Sequence, residues 1–139
     1  MAVNEVVIAL GSNIRPAENI ARARASLRRD YTFVDETAAV CTRPRLFTRQ
    51  ADFFNCAVLI QTPLTADVLK ERLRAVESEL GRVRAGHKDG PRTIDLDIVV
   101  WNGRVVDEHV YEWDFLRRAV QELLPELDLS RPDPPHGGG

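Results

Sequence analysis

The sequence predicts an α+β sandwich with a ferredoxin-like β-α-β-β-α-β order, and three observations carry that expectation. Compact apolar runs closed by turn residues read as strands, and two stretches with apolar residues at helical spacing read as helices. The two helices fall on either side of an adjacent pair of strands. Such an order packs both helices on one face of an antiparallel sheet and leaves the other face uncovered.

Each element has a local reason. Val6 to Leu10 is apolar and stops at Gly11-Ser12-Asn13, a strand closed by a turn. Pro16 suits a first helical turn, and Ile20, Ala23 or Arg24, and Leu27 return at helical spacing up to Arg29. Tyr31 to Thr42 is rich in β-branched and aromatic residues, and Phe53 to Thr62 is a further strand. The Arg-bearing connection from Arg43 to Asp52 is longer than a hairpin needs. Thr65 caps a second helix whose Leu69, Leu73, Val76 and Leu80 form one stripe ending near Gly81. Residues 82–91 lead into the strand of "GPRTIDLDIVVW", residues 90–101. Asn102-Gly103 then makes a two-residue turn into a short Val105-Val106 strand, and a helix runs from about Phe115 to Leu124, stopped by Pro125.

The bulk numbers bound the functional classes. A chain of 139 residues with 44% hydrophobic content supports one core, so a single domain over residues 1–127 is expected, with 128–139 as a disordered tail. Nineteen Lys and Arg against 21 Asp and Glu give a net charge of -2, which supplies no general field for nucleic acid. Apolar stretches fall well short of the roughly 20 residues of a membrane span, and the N-terminus lacks a signal-peptide layout, so a cytoplasmic location is expected. Cys41 and Cys56 have no metal-ligand spacing and read as buried reduced thiols.

Chemistry concentrates in "GPRTIDLDIVVW". Ile94, Leu96 and Ile98 point to one side of the strand, and Thr93, Asp95 and Asp97 to the other. With the apolar set under the helices, both carboxylates stand on the open face, about 7 Å apart along the strand. Asp is a poor strand former and like charges at i and i+2 repel, so either this face is simply solvated or something positive sits between them. Mg²⁺ suits such hard oxygen ligands, because it takes one or two carboxylates and fills its shell with water and phosphate. The preceding loop brings Arg82, Arg84, His87, Lys88 and Arg92, cations fit to neutralise a polyphosphate. On the neighbouring strand Phe53 and Asn55 share the same open side, an aromatic plate and a carboxamide for a flat heterocycle.

"ALGSN" at 9–13, "FFNCAV" at 53–58, "ESELGRVR" at 77–84 and above all "GPRTIDLDI" at 90–98 resemble the 6-hydroxymethyl-7,8-dihydropterin pyrophosphokinase family, HPPK, over residues 5 to 106. The resemblance implies transfer of a pyrophosphoryl group from ATP to the hydroxymethyl of a reduced pterin in folate biosynthesis, with two Mg²⁺ ions held by Asp95 and Asp97. It implies nucleotide contacts from Glu77, Arg82, Arg84 and Arg92, with Arg82 and Arg92 also assisting catalysis. On the pterin side it implies Asn55 at the ring edge, Phe53 as a stacking plate, Thr42 and Pro44 in the neighbouring loop, and Phe115 as a second plate. The loops at 43–52 and 82–91 are expected to close over bound substrates.

Departures from the family pattern are also visible. The segment "DEHVYEWDFLRR" is short and lacks the family's "PHP"-like motif, so His109, Arg117 and Arg118 have no assigned counterparts. "TRPRLFTRQ" replaces a proline-rich, apolar turn, and Asp89 stands where an aromatic often precedes "GPR". Two other classes stay open on the sequence: a homologue acting on another pterin-like alcohol, and a non-catalytic ferredoxin-like module binding a ligand, partner or nucleic acid. The carboxylate pair argues against nucleic acid, since it repels phosphate. Partners are therefore expected to be small molecules, without nucleic acid or membrane; oligomeric state has no signature in the sequence.

Overall fold

The computed structural model describes residues 2–42, 52–81 and 93–130. Its elements are β1 (Asn4–Ser12), α1 (Pro16–Asp30), β2 (Thr32–Glu36), β3 (Val40–Thr42), β4 (Phe53–Thr62), α2 (Ala66–Glu79), β5 (Asp95–Trp101), β6 (Arg104–Val105), α3 (His109–Glu112) and α4 (Asp114–Leu123). The strands form one antiparallel sheet in the order β2-β4-β1-β5-β6, with β3 also paired to β4. This is the expected α+β, ferredoxin-like arrangement, in which β1 lies between β4 and β5.

Helix starts and turns follow the local chemistry. Pro16 stands at the first turn of α1, and the Thr65 hydroxyl accepts a hydrogen bond from the Val68 N–H to cap α2. Asn102 and Gly103 both have positive φ, 49° and 75°, which the tight β5–β6 hairpin requires. The expected strand from Tyr31 to Thr42 is instead broken into β2 and β3. At the break Thr37 is buried, its N–H donating to the Ala57 carbonyl and its hydroxyl accepting from the Ala57 N–H. That side chain replaces a stretch of backbone pairing.

Two cores sandwich the sheet. The first gathers Val6, Ile8 and Leu10 of β1, Cys56, Val58 and Ile60 of β4, and Ile94 and Leu96 beneath Ile20, Leu27, Leu69 and Leu73 of the helices. The second corrects the expectation of an uncovered face. Leu116, Val120 and Leu123, at i, i+4 and i+7 of α4, cover Val7, Ala57, Leu59, Val99 and Val100 on the opposite side. The packed chain also runs past the expected boundary at 127, since Leu129 is buried in this second core. Consecutive valines at 6–7 supply both faces at once, as a doubly buried strand does, whereas Val99 and Val100 both face the second core. At 99 this takes a bulge: Ile8 pairs with Ile98 and Val7 with Val100, leaving Val99 extra.

Cover by α4 stops short of the other end of β1. On that face β1 presents Val7, then Ala9, then Gly11, a taper from a packed residue to none. The open surface is therefore confined to the Ser12 end of the sheet. Loops 43–51 and 82–92, with Pro44, Arg82, Arg84 and Arg92, and the segment 131–139 lie outside the described residues.

Leu116→Ala is expected to cost about 2–4 kcal/mol in urea unfolding, the usual loss for a truncated core leucine. A change under about 0.5 kcal/mol, typical of an exposed site, would show that α4 does not seal the second face.

Candidate active site

Strand register assembles the open end. Gly11 pairs with Asn55 on one side and Asp95 on the other, and Ala9 pairs likewise with Ala57 and Asp97. Directly paired residues of an antiparallel sheet point to the same face. Asp95 and Asp97 thus stand on one rim of a shallow tray and Asn55 on the other, with Gly11, Ala9 and Ala57 as its floor. Two inter-strand spacings set the rims about 10 Å apart, room for a flat ring between them. Thr42 of β3 pairs with Phe53 of β4, which brings both to the Asn55 side.

The carboxamide is held in one orientation. Its Nδ2 donates to the Thr42 hydroxyl at 2.5 Å, and its Oδ1 lies where a Cβ on Gly11 would meet it at 2.9 Å. Gly11 is required here for close approach. Among the residues expected in a site, Thr42, Phe53, Asn55 and Asp95 are part-buried and Asp97 is exposed.

Glu77, which the family resemblance implies as a nucleotide contact, lies on the side of α2 that faces β5. It is fully buried, and its carboxylate accepts from Arg74 Nη1 at 2.8 and 2.9 Å and from the Leu96 N–H at 2.8 Å. Arg74 Nη2 in turn donates to the Leu96 carbonyl at 2.6 Å and reaches Asp97 Oδ1 at 3.3 Å. Leu96 is the residue between the two aspartates, so this pair grips the peptide that carries both. Arg74 had no place in the reading of the sequence, although its i, i+3 spacing from Glu77 on a helix was a usable signal.

Ties of the same kind fix the entry to β5. Buried Ser12 donates through its hydroxyl to the Thr93 carbonyl at 2.5 Å, and the Thr93 hydroxyl donates to the Gly81 carbonyl at 3.1 Å. The end of α2 and the start of β5, which flank the basic loop, are thereby joined beside Asp95.

A groove of about 470 Å³ opens on the outer side of Asp97, with Lys70, Arg74, Ile98 and His109 among its walls. His109 is fixed there by Asp107, at 3.0 Å from Nδ1, and by face-to-face stacking on Trp113 at 3.8 Å. Helix α3, which presents His109, was not foreseen from the sequence. Phe115 stacks on Trp113 at 5.8 Å and packs against the second core. The thiols divide: Cys56 is buried and burial pushes its pKa up, whereas Cys41 is exposed, against the expectation that both are buried.

The sequence of residues 7–125 matches the profile of the 7,8-dihydro-6-hydroxymethylpterin-pyrophosphokinase (HPPK) family. The chain belongs to this family. It is 40% identical over 136 residues to the 2-amino-4-hydroxy-6-hydroxymethyldihydropteridine pyrophosphokinase of Bacillus subtilis (strain 168), covering 90% of this chain and 81% of that protein. To the enzyme of the same name from Pseudomonas putida it is 33% identical over 103 residues, 73% of this chain and 85% of that one. It is also 32% identical over 137 residues to the folate synthesis bifunctional protein of Arabidopsis thaliana. There the match covers 91% of this chain but only 28% of the relative, and in the Dictyostelium discoideum folic acid synthesis protein FOL1 only 20% of the relative. This chain spans less than a third of the length of those relatives.

Seen as an HPPK domain, the tray gathers Asp95, Asp97, Asn55, Thr42 and Phe53 on one face. Gly11→Ala is expected to push the Asn55 amide off Thr42 without unfolding the sheet, since Ala is the better strand residue. The check is the Asn55 side-chain amide resonances by NMR. Unmoved resonances in the variant would contradict the close approach.

Proposed function

We propose that this HPPK-family chain transfers the pyrophosphoryl group of ATP to the hydroxymethyl group of 6-hydroxymethyl-7,8-dihydropterin. The observation that carries this reading is the tray itself, with two carboxylates on one rim and an oriented carboxamide on the other across a floor of Gly11 and alanines. A flat heterocycle fits such a floor. Asn55 offers donor and acceptor to the ring edge and Phe53 a stacking face, and Phe115 would serve as a second aromatic. Thr42 fixes which way the amide points.

The hydroxymethyl oxygen attacks the β-phosphorus of ATP, a new P–O bond forms, and the bond from that phosphorus to the oxygen bridging to the α-phosphorus breaks. AMP leaves with the electron pair and the hydroxyl proton is lost to the medium. In such a transfer the protein chiefly aligns the two substrates and offsets charge on the phosphates. The pterin ring held by Asn55 and Phe53 would project its hydroxymethyl group toward the aspartate rim. ATP would extend from that rim into the groove walled by Lys70, Arg74, Ile98 and His109. Arg82, Arg84 and Arg92, in the sequence between α2 and β5, would neutralise phosphate oxygens. Glu77 acts from behind, through Leu96.

Asp95 and Asp97 fit a magnesium site by donor chemistry. They offer hard oxygens, and two carboxylates are within the one or two that Mg²⁺ usually takes from protein. Asp95 and Asp97 would hold two Mg²⁺ ions, whose positive charge would offset that of the phosphates and acidify the attacking hydroxyl. A carboxylate pair on the open face disfavours nucleic acid as partner. No helix among the described residues is long and apolar enough to cross a membrane.

Asp95→Ala and Asp97→Ala are each expected to lower kcat by more than about 100-fold in an assay of AMP formation from ATP, Mg²⁺ and the reduced pterin, with the thermal midpoint kept. Normal turnover in either variant would end the two-metal reading. ATP and Mg²⁺ binding without transfer in the unsubstituted chain would point to a different alcohol as acceptor.

A further inference from the structure

We infer that Arg74 and Glu77 form a positioning pair that sets the two aspartates for cation binding, acting as a substitute strand on the open edge of β5. The inference rests on the reading of Asp95 and Asp97 as the metal-binding rim.

Along its inner edge β5 pairs with β1, but on its outer edge β6 reaches only Val100 and Trp101. At Leu96 the backbone N–H and C=O that face outward therefore meet no strand among the described residues. Glu77 accepts from that N–H and Arg74 donates to that C=O, while the two side chains are bonded to each other. The carboxylate takes the place of a strand carbonyl, and the guanidinium that of a strand N–H. The ring so closed fixes the Leu96 peptide, from whose neighbours both aspartates project. Arginine suits this role because its fork serves several acceptors at once: Nη1 faces Glu77 while Nη2 faces Leu96 and Asp97.

Magnitudes decide how the pair acts on the site. The Arg74–Asp97 contact, at 3.3 Å with the aspartate side chain 53% exposed, is a surface ion pair worth at most about fivefold in any equilibrium. As a competitor for Asp97 it would weaken cation binding by no more than that. Losing the partners that orient metal-binding groups typically costs about 10- to 100-fold in metal affinity or activity. Positioning outweighs competition, so removing the pair weakens cation binding.

The test uses the double variant Arg74→Met/Glu77→Leu, which removes both charges together and so leaves no unpaired buried charge, at a cost in stability of about 1–3 kcal/mol for each Leu96 group left unpaired. Arg74→Lys serves beside it: the ammonium keeps Glu77 paired but lacks the planar fork. Mn²⁺ affinity is read by electron paramagnetic resonance in the presence of a nonhydrolysable ATP analogue, together with kcat and KM. In the double variant, assayed at a temperature where it is fully folded, Mn²⁺ affinity and kcat are each expected to fall about 10- to 100-fold, and in Arg74→Lys by a smaller factor in the same direction. Wild-type Mn²⁺ affinity and kcat in either folded variant would overturn the inference and leave the aspartate reading standing. Absence of nucleotide-dependent Mn²⁺ binding in the unsubstituted chain would overturn both.

Discussion

The structure depends on the register of β1 between β4 and β5. Because side chains alternate faces, a slip of one residue in either pairing would turn Asp95, Asp97 or Asn55 into the helix-covered core and bring leucine and isoleucine out. Val6, Ile8 and Leu10 on β1, opposite Ile60, Val58 and Cys56 on β4, make that slip costly. A hydrophobic constraint thus places polar groups that have no means of placing themselves. The taper of Val7, Ala9 and Gly11 on the other face then turns fixed register into a usable concavity.

Around this frame the polar contacts are specific and local. Thr42 orients Asn55, Arg74 and Glu77 hold Leu96, and Ser12 and Thr93 join the end of α2 to the start of β5. Each is a side chain satisfying a backbone group or an amide that the sheet alone leaves unpaired. They lie at the Ser12 end of the sheet, whereas the end covered by α4 is held by apolar packing. The domain divides accordingly into a packed half that supplies stability and an open half that supplies chemistry.

Much of this was legible in the sequence. Period-2 alternation in "TIDLDI" and "FFNCAV" placed Asp95, Asp97, Phe53 and Asn55 on a common face, and Asn102-Gly103 announced its hairpin. What escaped notice arises from contacts between distant segments. That α4 would cover half of the second face is implied by the paired valines of β1 and β5 only once the strands are known to be adjacent. The bulge at Val99, the break at Thr37 and the stacking of His109 on Trp113 depend on tertiary partners. Glu77 was recognisable as important, but a motif reports a position and leaves open whether the group faces a ligand or holds a backbone. Its burial against Leu96 favours the second.

The central claim is that the two β5 carboxylates bind divalent cation together with nucleotide on the open end of the sheet. The most direct measurement is anomalous diffraction from crystals grown with Mn²⁺ and a nonhydrolysable ATP analogue. The account predicts metal peaks within coordination distance of both Asp95 and Asp97, with phosphate oxygens completing the shells. A well-ordered nucleotide whose phosphates lie away from these aspartates, with no metal beside them, would contradict it.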